Sequence, residues 1–324
     1  MDYLLLVIGL ALLLIGANYL VDASVAIAQR ARISNFIIGL TIVGMGTSAP
    51  ELFVSVSAAL SGNGDIAMGN VVGSNILNIL LILGVTGTIC PFAIEKLQRR
   101  RDIPFLIGVS ILAVLLANDY IVPGIIVNSL SRLDGAFLVL IFLAYLCYVI
   151  LKSGRNMAQA EAEAEQECTS SLAGKTPWLL WPIAIVSLAA LIYGGNLFLD
   201  SAKRLASAWG MSDAVISITI VAVGTSLPEL ITSVIASFKH NPQLALGNII
   251  GSNLFNASMI LGTAALVKPL NIVGINYVDY LVMIAAAVAL WITVRTFGKN
   301  RFDRIEGIIF LVAYIAYTAY LLQR

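Results

Sequence analysis

Apolar residues run along this chain in long blocks rather than in short alternating stretches. The blocks are 3–22, 35–60, 66–90, 103–120, 134–151, 177–199, 212–237, 243–267, 277–296 and 305–322. A helix of such length, rising about 1.5 Å per residue, crosses a hydrocarbon layer roughly 30 Å thick. The pattern therefore predicts ten transmembrane helices, the form in which a lipid-immersed backbone satisfies its own N–H and C=O groups. The first block opens Met1-Asp2 without a basic run and continues helix-like through Asp22, so it is expected to remain as a span and not to be removed as a signal peptide.

Composition supports the same solvent. Hydrophobic residues make up 59% of the 324 and charged residues 11%, with mean hydropathy +0.94, against about 25% charged in an ordinary soluble domain. A water-soluble fold of this size has no way to hide that much apolar surface. The near-neutral balance and scattered basic residues offer nothing to nucleic acid, and no obligate protein partner is expected. With the N-terminus outside, 14 Lys and Arg fall in inner loops and five in outer segments. The positive-inside rule then predicts a multi-pass plasma (inner) membrane protein with both termini extracytoplasmic.

The chain repeats itself. Shifting it by 178 residues lays TIVGMGTSAPELFVSVSAALSGNGDIAMGNVVGSNILNILLILG (41–84) over TIVAVGTSLPELITSVIASFKHNPQLALGNIIGSNLFNASMILG (219–262), with 23 of 44 positions identical and no gap. Chance likeness of apolar helices matches Leu with Ile; it does not repeatedly match Gly, Ser, Asn, Pro and Glu. At an offset of 172, Arg132, Asp134 and Gly135 resemble Arg304, Glu306 and Gly307. The unit is thus five helices, an odd number, so the second copy enters the membrane from the other side. The predicted fold is all-α and polytopic, two inverted-topology five-helix repeats at 1–151 and 177–324 joined by a cytoplasmic linker, 152–176. Inverted repeats are a transporter architecture with binding at mid-membrane. The linker carries Glu161, Glu163, Glu165 and Glu167 and reads as a solvated connection.

Within the repeat, Thr47, Glu51 and Ser55 recur every four residues and share one helical face. Pro50 has no N–H for the carbonyl of Gly46 and crowds that turn. The second copy repeats this with Thr225, Pro228, Glu229 and Ser233. The following spans carry Asn70, Ser74 and Asn78, and Asn248, Ser252 and Asn256, beside glycines that permit close approach. Two carboxylate-bearing and two amide-bearing helices are therefore expected around one polar centre. A charged group there is costly unless it is paired or wet, and no block places Lys or Arg at matching depth. An all-oxygen site suits hard cations such as Ca2+, and two negative charges match one divalent or two monovalent ions. Asp22 and Asp200, near the ends of their spans, are expected to be hydrated. Cys90, Cys147 and Cys168 lack metal-ligand spacing, and the lone His240 sits in a loop beside Lys239, so hydrolytic chemistry has no nucleophile–base pair.

The segments GTSAPE and GTSLPE, followed by GNVVGSNILN and GNIIGSNLFN, resemble the alpha repeats of the sodium/calcium exchanger superfamily, prokaryotic type with two such repeats. The resemblance covers essentially the whole chain. It implies that Glu51 and Glu229 are the central carboxylates of a Ca2+ site, with Thr47 and Thr225 adding backbone oxygens. It implies further that Ser48, Ser226, Ser74 and Ser252 are Na+ ligands, joined by the backbone oxygens of Gly44 and Ala222, and that Asn78 and Asn256 hold the additional amide or acid positions. Some relatives carry an aspartate at one of those two places, whereas this chain has asparagine at both. The expected function is secondary antiport of Ca2+ against Na+, with H+-coupled or K+-dependent exchange as the alternative. No enzyme activity and no cofactor beyond the transported ions are expected. Channel and sensor roles are the remaining classes; inverted halves around a compact charged centre favour alternating access over a continuous pore.

Overall fold

In a computed structural model of the chain, residues 2–118, 128–153, 170–172, 174–209, 224–296 and 300–323 are described. Helix α1 (Asp2–Ala31) leads into a bent pair, α2 (Asn35–Thr47) and α3 (Ala49–Leu60), whose axes differ by 45°. Helices α4 (Gly64–Ile89), α5 (Ile103–Leu116) and α6 (Arg132–Ser153) follow. Beyond the linker come α7 (Pro177–Ala208), α8 (Leu227–Phe238), α9 (Pro242–Val267), α10 (Tyr277–Thr296) and α11 (Arg304–Gln323). Seven of these are long and apolar enough to cross a membrane, and the bent pair makes an eighth. The other two predicted blocks, 103–120 and 212–237, appear as the shorter helices α5 and α8; residues 119–120 and 212–223 lie outside the described part. The protein is a helical multi-pass membrane protein.

Local chemistry starts the helices at matching places. Asn63 caps α4 by accepting the N–H of Ile66, and Asn241, 178 residues later, caps α9 by accepting that of Leu244. Four two-residue strands also match in pairs. Strand β1 (Phe92–Ala93) follows α4 and pairs antiparallel with β4 (Arg301–Phe302), while β2 (Ser129–Leu130) pairs with β3 (Leu270–Asn271). Since β1 and β3 are 178 residues apart and β2 and β4 are 172 apart, each ribbon takes one strand from each copy of the repeat.

Side-chain patterning then sorts the helices. Helices α4 and α9 are largely enclosed, whereas α11 turns Ile308, Ile309, Val312 and Ile315 outward, an apolar surface suited to lipid. Glycine lets the outer helices approach the inner ones backbone to backbone. A Cβ on Gly307 would lie 2.7 Å from the carbonyl oxygen of Gly84, and one on Gly135 would lie 2.6 Å from that of Gly262. Contacts between small residues of this kind replace the hydrophobic driving force that is missing between helices in lipid.

One expectation from the sequence changes. Asp22 is enclosed, not hydrated: Lys239 Nζ donates to its Oδ1 at 2.6 Å and Ser171 Oγ to its Oδ2 at 2.6 Å. Ser170 Oγ donates to the Asp22 carbonyl at 2.7 Å. Residues 170–171 are therefore seated on the C-terminal half of α1, where an enclosed carboxylate requires neutralising and donating partners. Asp200 does face solvent, with Lys203 3.8 Å away. The four linker glutamates and Cys168 fall outside the described residues.

Leucine at position 307 has no space against α4 without moving a helix. Gly307→Leu should lower stability by about 1–3 kcal/mol, the usual cost of overpacking. A thermal melt in detergent checks this, and a melting midpoint equal to that of the parent would refute the close backbone approach.

Candidate cation-binding centre

The bent pair places the first carboxylate. Helix α2 ends at Ser48, whose φ of −82° and ψ of 11° leave the helical path, and α3 begins immediately with Pro50 in its first turn. Proline is favoured in that first turn, where its missing N–H costs least, and it prevents the two helices from running on as one. In the second copy Ser226 adopts φ −91° and ψ 11°, followed by Pro228 in the first turn of α8. Glu51 and Glu229 therefore both sit at the start of a helix, next to a break, and both are fully buried. A carboxylate is well placed there, close to the positive end of the helix dipole.

Each carboxylate is held by the opposite copy. Ser48 Oγ donates to Glu229 Oε1 at 2.7 Å, and Ser226 Oγ donates to Glu51 Oε1 at 2.9 Å. Ser74 Oγ lies 3.1 Å from Ser226 Oγ. Because the single Ser226 proton goes to Glu51, Ser74 is the donor of that bond. Asn248 Nδ2 donates to Ser233 Oγ at 2.9 Å and to the Glu229 carbonyl at 3.4 Å, and its Oδ1 accepts from Thr47 Oγ1 at 3.2 Å. Asn70 repeats the first two bonds in its own copy, to Ser55 Oγ at 3.0 Å and the Glu51 carbonyl at 3.2 Å. Ser252 Oγ donates to the Gly44 carbonyl at 3.1 Å.

The amide-bearing helices are interrupted at corresponding points. A π-helical turn spans Leu77–Ile82 in α4 and another spans Phe255–Ile260 in α9. Such turns are frequent at functional sites. Asn78 and Asn256 each stand second in their turn. The turn carrying Asn78 packs against α8 of the other copy, and the turn carrying Asn256 packs against α3. Each amide is thereby brought to the helix that bears the opposite carboxylate.

Of the residues expected at the centre, Glu51, Glu229, Thr47, Ser48, Ser226, Ser74, Ser252, Asn78 and Asn256 are all buried, and Gly44 is joined to Ser252. Thr225 is partly exposed, and Ala222 lies outside the described residues. Several oxygens have no protein partner among the described residues: Glu51 Oε2, Glu229 Oε2, Asn78 Oδ1 and Asn256 Oδ1. Among the described residues no ion pair involves either glutamate, whereas the buried acids Asp22 and Asp102 are held by Lys239 and Arg101. Buried polar groups are nearly always satisfied, so unpartnered oxygens of this number, two of them carboxylate, fit a hard cation. Sequence reasoning missed Asn75 and Asn253, which lie one position off the polar stripe. Their repetition in the two GSN segments was the available signal.

Comparison with known proteins bears on the same segments. The family model described as sodium/calcium exchanger protein matches residues 1–151 and 179–323. The putative antiporter CaxA of Alkalimonas amylolytica is 38% identical over 313 residues, spanning 96% of this chain and 95% of that protein. The sodium/calcium exchanger MaX1 of Methanosarcina acetivorans is 30% identical, over 98% of this chain and 97% of that one. A solved structure of the sodium-calcium exchanger NCX_Mj, soaked with 2.5 mM Na+ and 0.1 mM Ca2+, superposes with a TM-score of 0.81 at 30% identity, covering 98% of this chain and 97% of that one.

Asn248 bridges three groups on two elements while being fully buried; Asn70 bridges two and is partly exposed. Asn248→Leu should therefore destabilise by about 1–3 kcal/mol, the cost of stranding buried polar partners, and Asn70→Leu by less. Paired thermal melts in detergent check the order, and a larger loss at position 70 would contradict it.

Proposed function

The chain is a member of the sodium/calcium exchanger family, a transporter and not an enzyme, and from that premise we propose that it exchanges Ca2+ for Na+ by presenting one enclosed oxygen cluster to each side of the membrane in turn. One observation carries this: two fully buried carboxylates, one from each copy of the repeat, each keep an oxygen without a protein partner, and neither has Lys or Arg beside it among the described residues. In hydrocarbon such groups need a neutralising partner. The substrate supplies it.

The proposed ligands of Ca2+ are Glu51 and Glu229 with the backbone oxygens of Thr47 and Thr225. Na+ takes Ser48, Ser226, Ser74 and Ser252 with the carbonyls of Gly44 and Ala222, and Asn78 and Asn256 add amide oxygens. Two negative charges balance one Ca2+ or two Na+, so the two ions compete for the same centre. With neither bound, the carboxylates are uncompensated, and crossing between the two access states is slow. An inward Na+ gradient then drives Ca2+ outward.

Ten spans in two inverted five-helix repeats, 1–151 and 177–324, complete the proposed architecture, with residues 152–176 as a cytoplasmic linker and both termini extracytoplasmic in the inner membrane. Helices α1 and α7 pack along each other and are the proposed sliding pair. Their long mutual contact, with Gly9 and Gly194 at backbone distance, makes them a unit able to shift against the rest.

Ca2+ uptake into everted membrane vesicles should depend on an imposed Na+ gradient and fall to background in both Glu51→Gln and Glu229→Gln. Uptake unchanged by either substitution would sink the assignment. In liposomes holding purified protein, with Na+, K+ and H+ gradients varied independently, Na+ is expected to drive flux alone. Flux that follows the proton gradient, or that requires K+, would replace the coupling ion.

A further inference from the structure

Asn75 and Asn256 are joined in a way that bears on how an amide serves as a cation ligand. An asparagine carries one oxygen that coordinates and one NH2 that does not, so its value at a cation site depends on which way it is turned. A carboxylate has no such requirement. The chain places asparagine at 256, fully buried, within the π-helical turn that packs against the helix of Glu51.

The orientation follows from a chain of one-way contacts. The backbone carbonyl of Asn253 only accepts, and the Asn75 side chain meets it with Nδ2 at 3.3 Å. The sulfur of Met283, a weak acceptor, lies 4.0 Å from the same nitrogen. With its nitrogen committed, Asn75 presents Oδ1 to its other neighbour. There it accepts the Nδ2 of Asn256 at 3.1 Å. Asn256 Oδ1 is then turned away from Asn75, buried and without a protein partner among the described residues. Turning the Asn256 amide over sets its oxygen against the oxygen of Asn75, an arrangement with no proton between them.

The counterpart contact in the other copy is not made. Asn253 Nδ2 donates within its own helix, to the Ile249 carbonyl at 2.7 Å, and among the described residues its Oδ1 has no partner, as neither amide atom of Asn78 has. The two amides at the centre are therefore unequal: Asn256 is held in one sense and Asn78 is not.

We propose that Asn75 is a positioning residue that locks the Asn256 amide with its oxygen toward the transported cation. It rests on the exchange reaction proposed above and adds a residue outside the ligand set. The test is a double-mutant cycle on the full-length protein in liposomes, reading the half-saturating concentration of Ca2+ and the maximal rate separately, with Ca2+ alone as the binding probe in detergent. Asn75→Ala should raise half-saturation about tenfold, equivalent to about 1.4 kcal/mol, with the maximal rate within about twofold. In the Asn256→Ala background, where there is no amide left to orient, adding Asn75→Ala should change half-saturation by less than about twofold. Should Asn75→Ala fail to give folded protein, Asn75→Ser replaces it, since a hydroxyl is too short to span both partners. An equal effect of the position-75 substitution in both backgrounds would reduce Asn75 to a packing role and overturn the proposal. Asn256→Ala with unchanged half-saturation would overturn it too, while leaving exchange at the glutamate pair intact. Wild-type protein without saturable Ca2+ binding would bring down the exchange reaction itself.

Discussion

Two carboxylates enclosed within an apolar structure set the terms for everything around them. Placing an ionised group away from water is costly unless charge and hydrogen bonds are restored inside the protein. This protein restores the hydrogen bonds partly and the charge not at all among its described residues: one oxygen of each glutamate accepts a serine hydroxyl, and the other accepts nothing. Hydroxyls are suited to this half-measure. They orient a carboxylate without neutralising it, whereas an Arg or Lys at the same place would compete with any cation from outside. Each carboxylate is thus oriented by one oxygen and keeps the other without a partner among the described residues.

The donors come from the wrong side of the repeat, and that choice fixes the architecture. Ser48 serves Glu229, Ser226 serves Glu51, and Thr47 reaches Asn248, so neither copy completes its own carboxylate. A five-helix unit on its own would leave its glutamate without that hydroxyl. The same crossing recurs at the periphery, where each β-ribbon takes one strand from each copy, and in the glycine contacts of α4 with α11 and of α6 with α9. Interdependence at the centre is matched by interlocking at the rim. Helices α1 and α7 pack chiefly on each other, and Lys239 ties Asp22 of α1 to the end of α8.

Much of this was readable from residues alone, for a physical reason. Spacing of four along a helix puts Thr47, Glu51 and Ser55 on one face regardless of tertiary context, and proline breaks a helix wherever it stands. The polar stripe, the break and the repetition of both were therefore visible. What a single helix does not encode is which neighbour it meets. Ser48 was singled out only by resemblance, and its partner lies 181 positions away. Asn75 stands one residue off the stripe, and a regular helix would turn it from the centre; its contact with Asn256 depends on how α4 and α9 meet. Asp22 was misjudged for the same reason. Its position near a helix end suggested water, but the tail of the linker and Lys239 close over it, and long-range closure of that kind leaves no local periodicity. The predicted spans 103–120 and 212–237 are matched by α5 and α8 only in part, since residues 119–120 and 212–223 are not among those described.

Asparagine at both 78 and 256 has a consequence for charge. An amide offers an oxygen but neither a negative charge nor a titrating proton at ordinary pH. Between them, Glu51 and Glu229 are then the ionisable members of the predicted ligand set, and the set carries at most two negative charges. One Ca2+ cancels these, as do two Na+. A third Na+ would leave the centre with a net positive charge that no other member of the set can offset by losing a proton. Where a carboxyl replaces one of these amides, protonation gives the centre a second way to adjust its charge. Here the two amides cannot make that adjustment, and what each offers depends on whether its oxygen or its nitrogen is turned to the centre. The contact between Asn75 and Asn256 sets that turn at one of the two amides, since the Asn256 nitrogen is engaged and its oxygen is left facing away from Asn75.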